Sequence, residues 1–180
     1  MIAGKRVVLR PIEEEELPLI VGWQNHPEVW WYMDYERAFA LEDVREDEAR
    51  SRAEGFPLLI TVDGKPIGRI GLNRFRRRDR ICALYLYVGE PAFWGRGYAR
   101  DALMALLSHA FDRFDLHQVE LWTLAENPRV IRVYERCGFQ QEARLRDRSF
   151  KDGRFVDHLV MSVTRDAFAE AHEKYLVEEQ

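Results

Sequence analysis

Two short stretches of the sequence combine residue types that can hold phosphate and move a proton. In the first, residues 87–102, Gly95 and Gly97 stand just before a long helix-forming segment. The free N–H groups at a helix N-terminus and the helix dipole attract anions, and glycine lets a phosphate approach the backbone. Arg96 and Arg100 would add positive charge beside such a site. The stretch predicts a diphosphate-binding loop, with a plain glycine turn as the alternative.

The second stretch, residues 126–139, places a tyrosine where it could act as an acid. Asn127 stands at an N-cap position, Pro128 at a tolerated first-turn position, and Gly138 where a helix would end. Tyr134 lies about two turns into this short helix. Its hydroxyl could donate a proton, and the alternative is an aromatic side chain packed into the core.

Two other phosphate-binding motifs do not occur in the sequence. A dinucleotide fingerprint needs a third glycine at position 100, where the chain has Arg100. A P-loop needs Gly-Lys-Ser/Thr, which the sequence lacks. These two modes of nucleotide binding are therefore excluded.

The surrounding pattern predicts the elements that position these stretches. Alternating apolar residues and the turns Asp63-Gly64 and Asp152-Gly153 favour strands, while apolar residues at helical spacing favour helices. The aromatic segment 28–35 is interpreted as a loop. The predicted strands are 5–11, 57–62, 66–75, 81–88, 118–124, 139–148 and 155–163, and the predicted helices are 17–24, 41–53, 95–114, 128–136 and 165–177. This order predicts one α+β domain over residues 1–180, a mixed central sheet of about seven strands flanked by helices.

The composition is that of a globular protein. Of the 180 residues 47% are hydrophobic and 32% are charged, which excludes whole-chain disorder, collagen and coiled coil. The net charge of −4 argues against a general nucleic-acid binder. Two cysteines make neither a disulfide framework nor a zinc site, and no metal is expected. The N-terminus lacks a signal peptide and no apolar run approaches about 20 residues, so we expect a cytoplasmic protein without membrane contact.

Taken together, the two stretches resemble the GNAT superfamily of acyl-CoA-dependent N-acetyltransferases. Gly95–Ala99 is similar to the family's pyrophosphate loop, and Asn127 with Tyr134–Phe139 is similar to its Asn…Tyr-Glu-Lys-x-Gly-Phe stretch. The opening Leu9–Pro11 and the hairpin Gly64–Gly71 extend the resemblance over nearly the whole chain. The most similar branch contains ribosomal-protein alanine and spermidine acetyltransferases. The resemblance therefore implies a GNAT-like domain that takes acetyl-CoA as acyl donor.

The resemblance also implies a role for each matching residue. Tyr134 would be the general acid that protonates the leaving thiolate. A phenol has an ordinary pKa of about 10 and a thiol one of about 8.5, so the transfer of a proton from the phenol to the thiolate is feasible at neutral pH, where the phenol is protonated. The backbone N–H of Val88 would stabilise the thioester oxygen. The cofactor would bind Leu86, Val88, Trp94, Gly95, Arg96, Gly97, Tyr98, Ala99, Arg100, Asn127 and Arg136.

Two departures from the family pattern bear on the mechanism. Trp94 stands where the loop motif often begins with Gln or Arg, and Ala83 stands where many relatives carry a glutamate that helps to deprotonate the acceptor. The candidate bases are therefore Glu90, Glu126, Asp157, His158 or a bound water. Cys137 could serve as an acyl-enzyme nucleophile or be a buried structural thiol.

The acceptor is predicted to bind near the aromatic segment. Trp30, Trp31, Asp34 and Glu36 offer aromatic faces and carboxylates that favour a cationic amine, and a hydrophobic lid or dimer contact is the alternative. A small amine or a protein N-terminus would be the acceptor: N-terminal peptides, polyamines, aminoglycosides and metabolite amines all remain open. A homodimer is common among members of the family.

Two other functions compete with the enzyme. A non-catalytic acyl-CoA-binding sensor or interaction module is favoured by Ala83, whereas Asn127 and Tyr134 favour the enzyme. The basic turn Arg74–Arg80 could dock RNA or an acidic protein, or be a solvated hairpin tip. Because this turn is the sole feature behind it, a nucleic-acid partner is not expected.

Overall fold

The computed structural model describes residues 1–33 and 35–178, in which a single sheet carries helices on both faces. The strands are β1 Ile2–Ala3, β2 Val8–Arg10, β3 Phe56–Val62, β4 Lys65–Arg76, β5 Ile81–Val88, β6 Gln118–Leu124, β7 Gln140–Lys151 and β8 Arg154–Thr164. The helices are α1 Leu17–Gln24, α2 Pro27–Tyr32, α3 Leu41–Glu54, α4 Tyr98–Arg113, α5 Pro128–Arg136 and α6 Arg165–Val177. The predicted mixed α+β fold is confirmed, with eight strands in place of about seven.

The sheet is antiparallel except at one place. Its order is β1-β2-β3-β4-β5-β6-β8-β7, and β5 and β6 run parallel. Pairing between these two strands covers Ile81–Ala83 and Gln118–Glu120 and goes no further in the described residues. Beyond Ala83 the two strands therefore separate, and a cleft opens between their C-terminal halves.

Two hydrophobic cores lie on opposite faces of the sheet because side chains alternate along each strand. Leu84 of β5 belongs to the core that contains Leu103 and Leu106 of α4 and Phe168 of α6. Tyr87 of β5 belongs to the core that contains Ile20 of α1, Val44 of α3 and Leu59 of β3. Helices α4 and α6 thus cover one face, and α1 and α3 cover the other.

Three predicted segments are wrong, and several other segment ends shift by one to three residues. Within the first predicted strand, 5–11, the sheet contains Val8–Arg10 alone; a separate strand, β1, pairs with it across a turn in which Gly4 N–H donates to Val7 O at 2.9 Å. The segment 28–35 is not a loop, since Pro27 fits the first helical turn and Trp30 N–H donates to His26 O at 2.8 Å. Helix α4 begins at Tyr98 rather than Gly95, because Gly95 and Gly97 have left-handed φ values of +73° and +84°.

Candidate active site

The cleft between β5 and β6 exposes an unused strand edge. Gly89 N–H donates to Ile67 O of β4 at 2.8 Å. Because alternate residues of a strand turn their backbone groups to opposite neighbours, Leu86 and Val88 turn theirs away from β4, toward the cleft. An extended ligand arm could bind there as an added strand.

The end of β5 is bent by a bulge. Gly89 N–H and Glu90 N–H both donate to Ile67 O, at 2.8 and 3.2 Å, so two residues oppose one. Gly89 also lies against Trp23 of α1: a Cβ at this position would stand 2.2 Å from Trp23 Cγ. Only glycine fits, and the close contact fixes where the chain leaves the strand.

The predicted phosphate loop lies directly after this bulge. The Trp94 indole Nε1–H donates to Val88 O at 2.7 Å and holds the loop against the end of β5. This contact occupies the Val88 carbonyl and leaves its N–H on the cleft side. Gly97 is the N-cap of α4, so the first-turn amides, those of Tyr98 and Ala99 among them, have no partner within the helix.

An internal carboxylate anchors this end of α4. Asp101 is 3% exposed and accepts hydrogen bonds from the N–H groups of Lys5, Arg6 and Val7 at 2.8, 2.6 and 2.9 Å and from the Tyr175 hydroxyl at 2.7 Å. It joins three parts of the fold: the β1–β2 turn, the first turn of α4, and helix α6. Sequence reasoning missed this residue, because nothing local marks its distant partners.

The arginines predicted to bind phosphate do not all lie together. Arg96 is exposed beside the Phe93 ring, 5.8 Å from its centroid. Arg100 forms an ion pair with Glu178 and has a buried Nε without a partner in the described residues. Arg100, Arg136 and Lys174 line a groove of about 190 Å³ next to the start of α4. An anion entering this groove would face three cationic side chains and two carboxylates, those of Glu170 and Glu178.

Tyr134 lies on the same face as α4, inside the larger core. Asn127 caps its helix, as predicted, by accepting from Val130 N–H at 3.3 Å. Tyr134 is 5% exposed, and its ring centroid is 5.6 Å from that of Phe139. Burial, with a smaller contribution from the charge of Cys137, raises the pKa of the Tyr134 phenol. The hydroxyl therefore stays protonated across the neutral range.

Neither cysteine has the properties of a nucleophile. Cys82 and Cys137 are free and each is 0% exposed. Burial raises the pKa of each thiol to about 12. Because the thiolate is the reactive form, the geometry favours a structural thiol at Cys137 over an acyl-enzyme.

The predicted acceptor residues lie on the opposite face, at an arch over the cleft. Trp31 Nε1–H donates to Asp152 Oδ2 at 2.6 Å, and Lys151 Nζ donates to Met33 O at 2.9 Å. Helix α2 belongs to the side of β5, whereas the β7–β8 turn lies beyond β6. These contacts therefore bridge the two strands that separate. Trp30 and Glu36 are exposed next to the arch, and Asp34 lies outside the described residues.

The four candidate bases lie in different surroundings. Glu90 Oε1 accepts from the Trp23 indole at 3.0 Å, and Glu126 pairs with Arg154, which lowers the pKa of its carboxyl. Asp157 accepts from Asp147 N–H and Arg144, which lowers its pKa as well. His158 is 6% exposed, and its Nε2 lies 2.8 Å from Ser149 Oγ. Ala83, between Asn73 and Glu120 in the sheet, supplies no titratable group.

The basic turn is largely engaged by neighbouring side chains. Arg74 stacks over Trp122, 5.5 Å from its centroid, Arg76 lies 3.5 Å from Glu120, and Arg80 lies 2.9 Å from Asp115. The remaining arginines, Arg77 and Arg78, are exposed at the tip.

The described helices include none that is long and apolar enough to span a membrane.

Comparisons with known proteins identify the family. Residues 6–140 match the family model described as acetyltransferase (GNAT) domain. The chain is 26% identical over 157 residues to spermidine N(1)-acetyltransferase of Vibrio cholerae serotype O1, a match spanning 86% of this chain and 90% of the relative. A solved structure of spermidine N-acetyltransferase from Vibrio cholerae, in complex with CoA and spermine, has a TM-score of 0.84 at 23% identity, covering 91% of this chain and 98% of that chain. The structure of RimL, a ribosomal L7/L12 α-N-protein acetyltransferase in complex with coenzyme A, has a TM-score of 0.81 at 18% identity, covering 93% of this chain and 99% of that chain. Because the family model covers more than half of the sequence, this chain belongs to the GNAT acetyltransferase family.

Proposed function

We propose that this protein transfers the acetyl group of acetyl-CoA to a primary amine by direct attack, with Tyr134 as the general acid. The observation that carries the proposal is the placement of a buried, protonated tyrosine on one side of a cleft whose strand edge and helix N-terminus are unused. Acetyl-CoA is the substrate that supplies the activated acyl group.

The residues around the cleft suit the charges and shape of acetyl-CoA. The first-turn amides of α4, reached through Gly95 and Gly97, would bind the pyrophosphate. Arg100, which pairs with Glu178, and Arg136 would face its remaining phosphate. The backbone groups of Leu86 and the N–H of Val88 would hold the pantetheine arm and the thioester oxygen.

Tyr134 would complete the transfer by giving its proton to the leaving sulfur. A phenol whose pKa is raised by burial stays protonated at neutral pH until the thiolate forms. The amine nitrogen bonds to the acetyl carbon, the carbon–sulfur bond breaks, and the sulfur takes the proton of Tyr134. No acyl-enzyme is needed, in keeping with the buried thiol of Cys137.

The acceptor is proposed to enter from the arch side as a cationic amine, either a small amine or a protein N-terminus. Trp30, Trp31, Glu36 and Asp34 are the side chains proposed to attract it. The names of the relatives support this class, since one is a spermidine acetyltransferase and one acetylates the N-terminus of a ribosomal protein.

A non-catalytic acyl-CoA sensor remains the second candidate, favoured by Ala83 where relatives carry a glutamate. Thiol release from acetyl-CoA, measured with peptides, spermidine, aminoglycosides and amino acids, separates the two. We expect turnover with one class of amine, slowed about 100-fold or more in Tyr134→Phe, a loss typical of a general acid. Cys137→Ala is the matched control, and it should keep its activity.

The other outcomes of this experiment are equally decisive. Heat protection by acetyl-CoA with no thiol release across the panel would favour the sensor. No protection at all would contradict acetyl-CoA as substrate. A Tyr134→Phe protein as fast as wild type would contradict the role of Tyr134.

We further propose that residues 1–180 act as one catalytic domain. Phe168 and Tyr175 of α6 pack into the same core as α4, which ties the C-terminal helix to the phosphate loop. Two buried free thiols suit a reducing cytoplasm. The exposed aromatic pair Phe150 and Phe155 next to the arch is a surface at which two copies could meet as a homodimer.

A further inference from the structure

A single row of residues crosses the sheet on the acceptor face. On the β5 side of the cleft, Arg69 of β4 pairs with Tyr87 of β5. On the β6 side, His158 of β8 pairs with Leu124 of β6 and, on its other side, with Leu145 of β7. The last parallel pair is Ala83 with Glu120, and Tyr87 and Leu124 each follow that pair by four residues, on the two sides of the cleft. His158 therefore lies on the β6 side of the cleft, on β8, one strand away from the strand that forms the cleft edge.

His158 has a hydrogen-bonding partner that can carry a proton. Its Nε2 lies 2.8 Å from Ser149 Oγ, a hydroxyl that can both accept and donate. Ser149 reaches this position because the pairing of β7 with β8 is irregular between Leu145 and Ser149. The displaced register brings Ser149 and His158 together although Ser149 pairs directly with Val156.

The arch lies next to this pair. Lys151, two residues after Ser149, donates to Met33 O, and Asp152 accepts from Trp31. An amine that entered between the arch and the sheet would pass Ser149 and His158 before it reached the end of β6. Tyr134 lies across the sheet, in the core beneath α4. The proton donor and the pair Ser149 and His158 thus lie on opposite faces of the sheet that the cleft divides.

Two of the candidate carboxylates, Glu126 and Asp157, are weakened as bases. Glu126 and Asp157 hold ion pairs with Arg154 and Arg144 that lower their pKa values, which weakens them as proton acceptors. Imidazole is the side chain whose ordinary titration lies between pH 5 and 8. An alkyl ammonium, by contrast, keeps its proton to a pH of about 10 and cannot attack until it is removed.

We propose that Ser149 and His158 remove this proton from the acceptor amine, an assignment that rests on the proposed function above. The ammonium gives one proton to Ser149 Oγ while Ser149 gives its own to His158 Nε2. The freed electron pair of the nitrogen forms the bond to the acetyl carbon as the carbon–sulfur bond breaks and Tyr134 protonates the sulfur. The imidazolium loses its proton to solvent, and the Tyr134 phenolate regains one.

The test is the pH dependence of kcat/KM with spermidine and with an alanyl peptide. In His158→Gln, whose amide can still bond Ser149, we expect a loss of about 100-fold at pH 7. The kcat/KM of the variant should then rise tenfold per pH unit up to the pKa of the amine, whereas the kcat/KM of the wild type should become independent of pH below that pKa. Ser149→Ala should show the same climb, and Ser149→Thr, which keeps a hydroxyl, should restore the wild-type profile.

Ser162→Ala is the matched control, since Ser162 is a buried serine on the same strand as His158 but bonds Glu142 and Gln118 instead. Its profile should equal that of the wild type. Variant profiles parallel to the wild type at every pH would overturn the assignment and leave the pair structural. No thiol release by the wild type with any amine would overturn the proposed function, and this assignment with it. If His158→Gln does not fold, the two Ser149 variants decide.

Discussion

The two sides of the cleft are held by different kinds of interaction. On the cofactor side, α4 buries Leu103, Leu106 and Leu107 completely, and the loop before it presents backbone groups. On the acceptor side, the arch depends on two side-chain hydrogen bonds near the surface, from Trp31 to Asp152 and from Lys151 to Met33. Burying one leucine contributes about 1.5–3 kcal/mol, whereas a hydrogen bond contributes about 0.5–1.5 kcal/mol.

This difference predicts that the acceptor side can change more readily than the cofactor side. A site made of backbone amides and a packed helix is altered mainly by substitutions that disturb the core or replace its glycines. An arch made of side-chain contacts can be rebuilt by single substitutions that leave the core intact. The exception on the acceptor side is the pair Arg69 and Glu48, which lies 2.7 Å apart beneath the arch with both side chains buried.

The largest stability effect should come from this buried pair. Glu48→Gln leaves the Arg69 guanidinium without its main counter-charge and should lower the free energy of unfolding by about 3–5 kcal/mol, measured by urea denaturation. Asp47→Asn is the matched control, because Asp47 is half-exposed and 3.8 Å from Arg69, and it should cost little. Equal losses in the two variants would contradict the special role of Glu48.

A smaller effect on stability, with a separate effect on binding, should follow substitution in the phosphate loop. Gly97 and Gly64 both have left-handed φ, at +84° and +78°, and neither would suffer a clash with an added Cβ. Gly97→Ala and Gly64→Ala should therefore each cost about 1–2 kcal/mol of stability. Only Gly97→Ala should also weaken acetyl-CoA binding, by about tenfold, as judged by calorimetry. Similar affinities in the two variants would argue against phosphate binding at α4.

The cofactor side was predictable from the sequence because its signals are local. The strand 81–88 and the helix 128–136 begin and end where predicted, since Pro128 and Gly138 act on their immediate neighbours. The turns Asp63-Gly64 and Asp152-Gly153 adopt left-handed φ as expected of such pairs. These are effects of one residue on the next few peptide units.

The acceptor side was less predictable because its contacts join distant segments. Arg69 meets Glu48 from another element, Trp31 meets Asp152 across the cleft, and Ser149 meets His158 through an irregular strand pairing. The sequence did name Trp31 and His158 as candidates by residue type. Their partners depend on register and on the crossing of elements, which no local pattern encodes.

The smallest effect should come from the arch itself. Trp31→Phe keeps the ring but removes the indole N–H that donates to Asp152, so the KM for the acceptor should rise up to about tenfold, the equivalent of one hydrogen bond. The KM for acetyl-CoA, which is proposed to bind at the phosphate loop and along β5, should not change. Asp152→Ala, which removes the acceptor, should have a similar effect, and the double variant should be no worse than either single one, because both remove the same bond. Additive losses would mean that Trp31 contacts the acceptor directly rather than closing the arch over it.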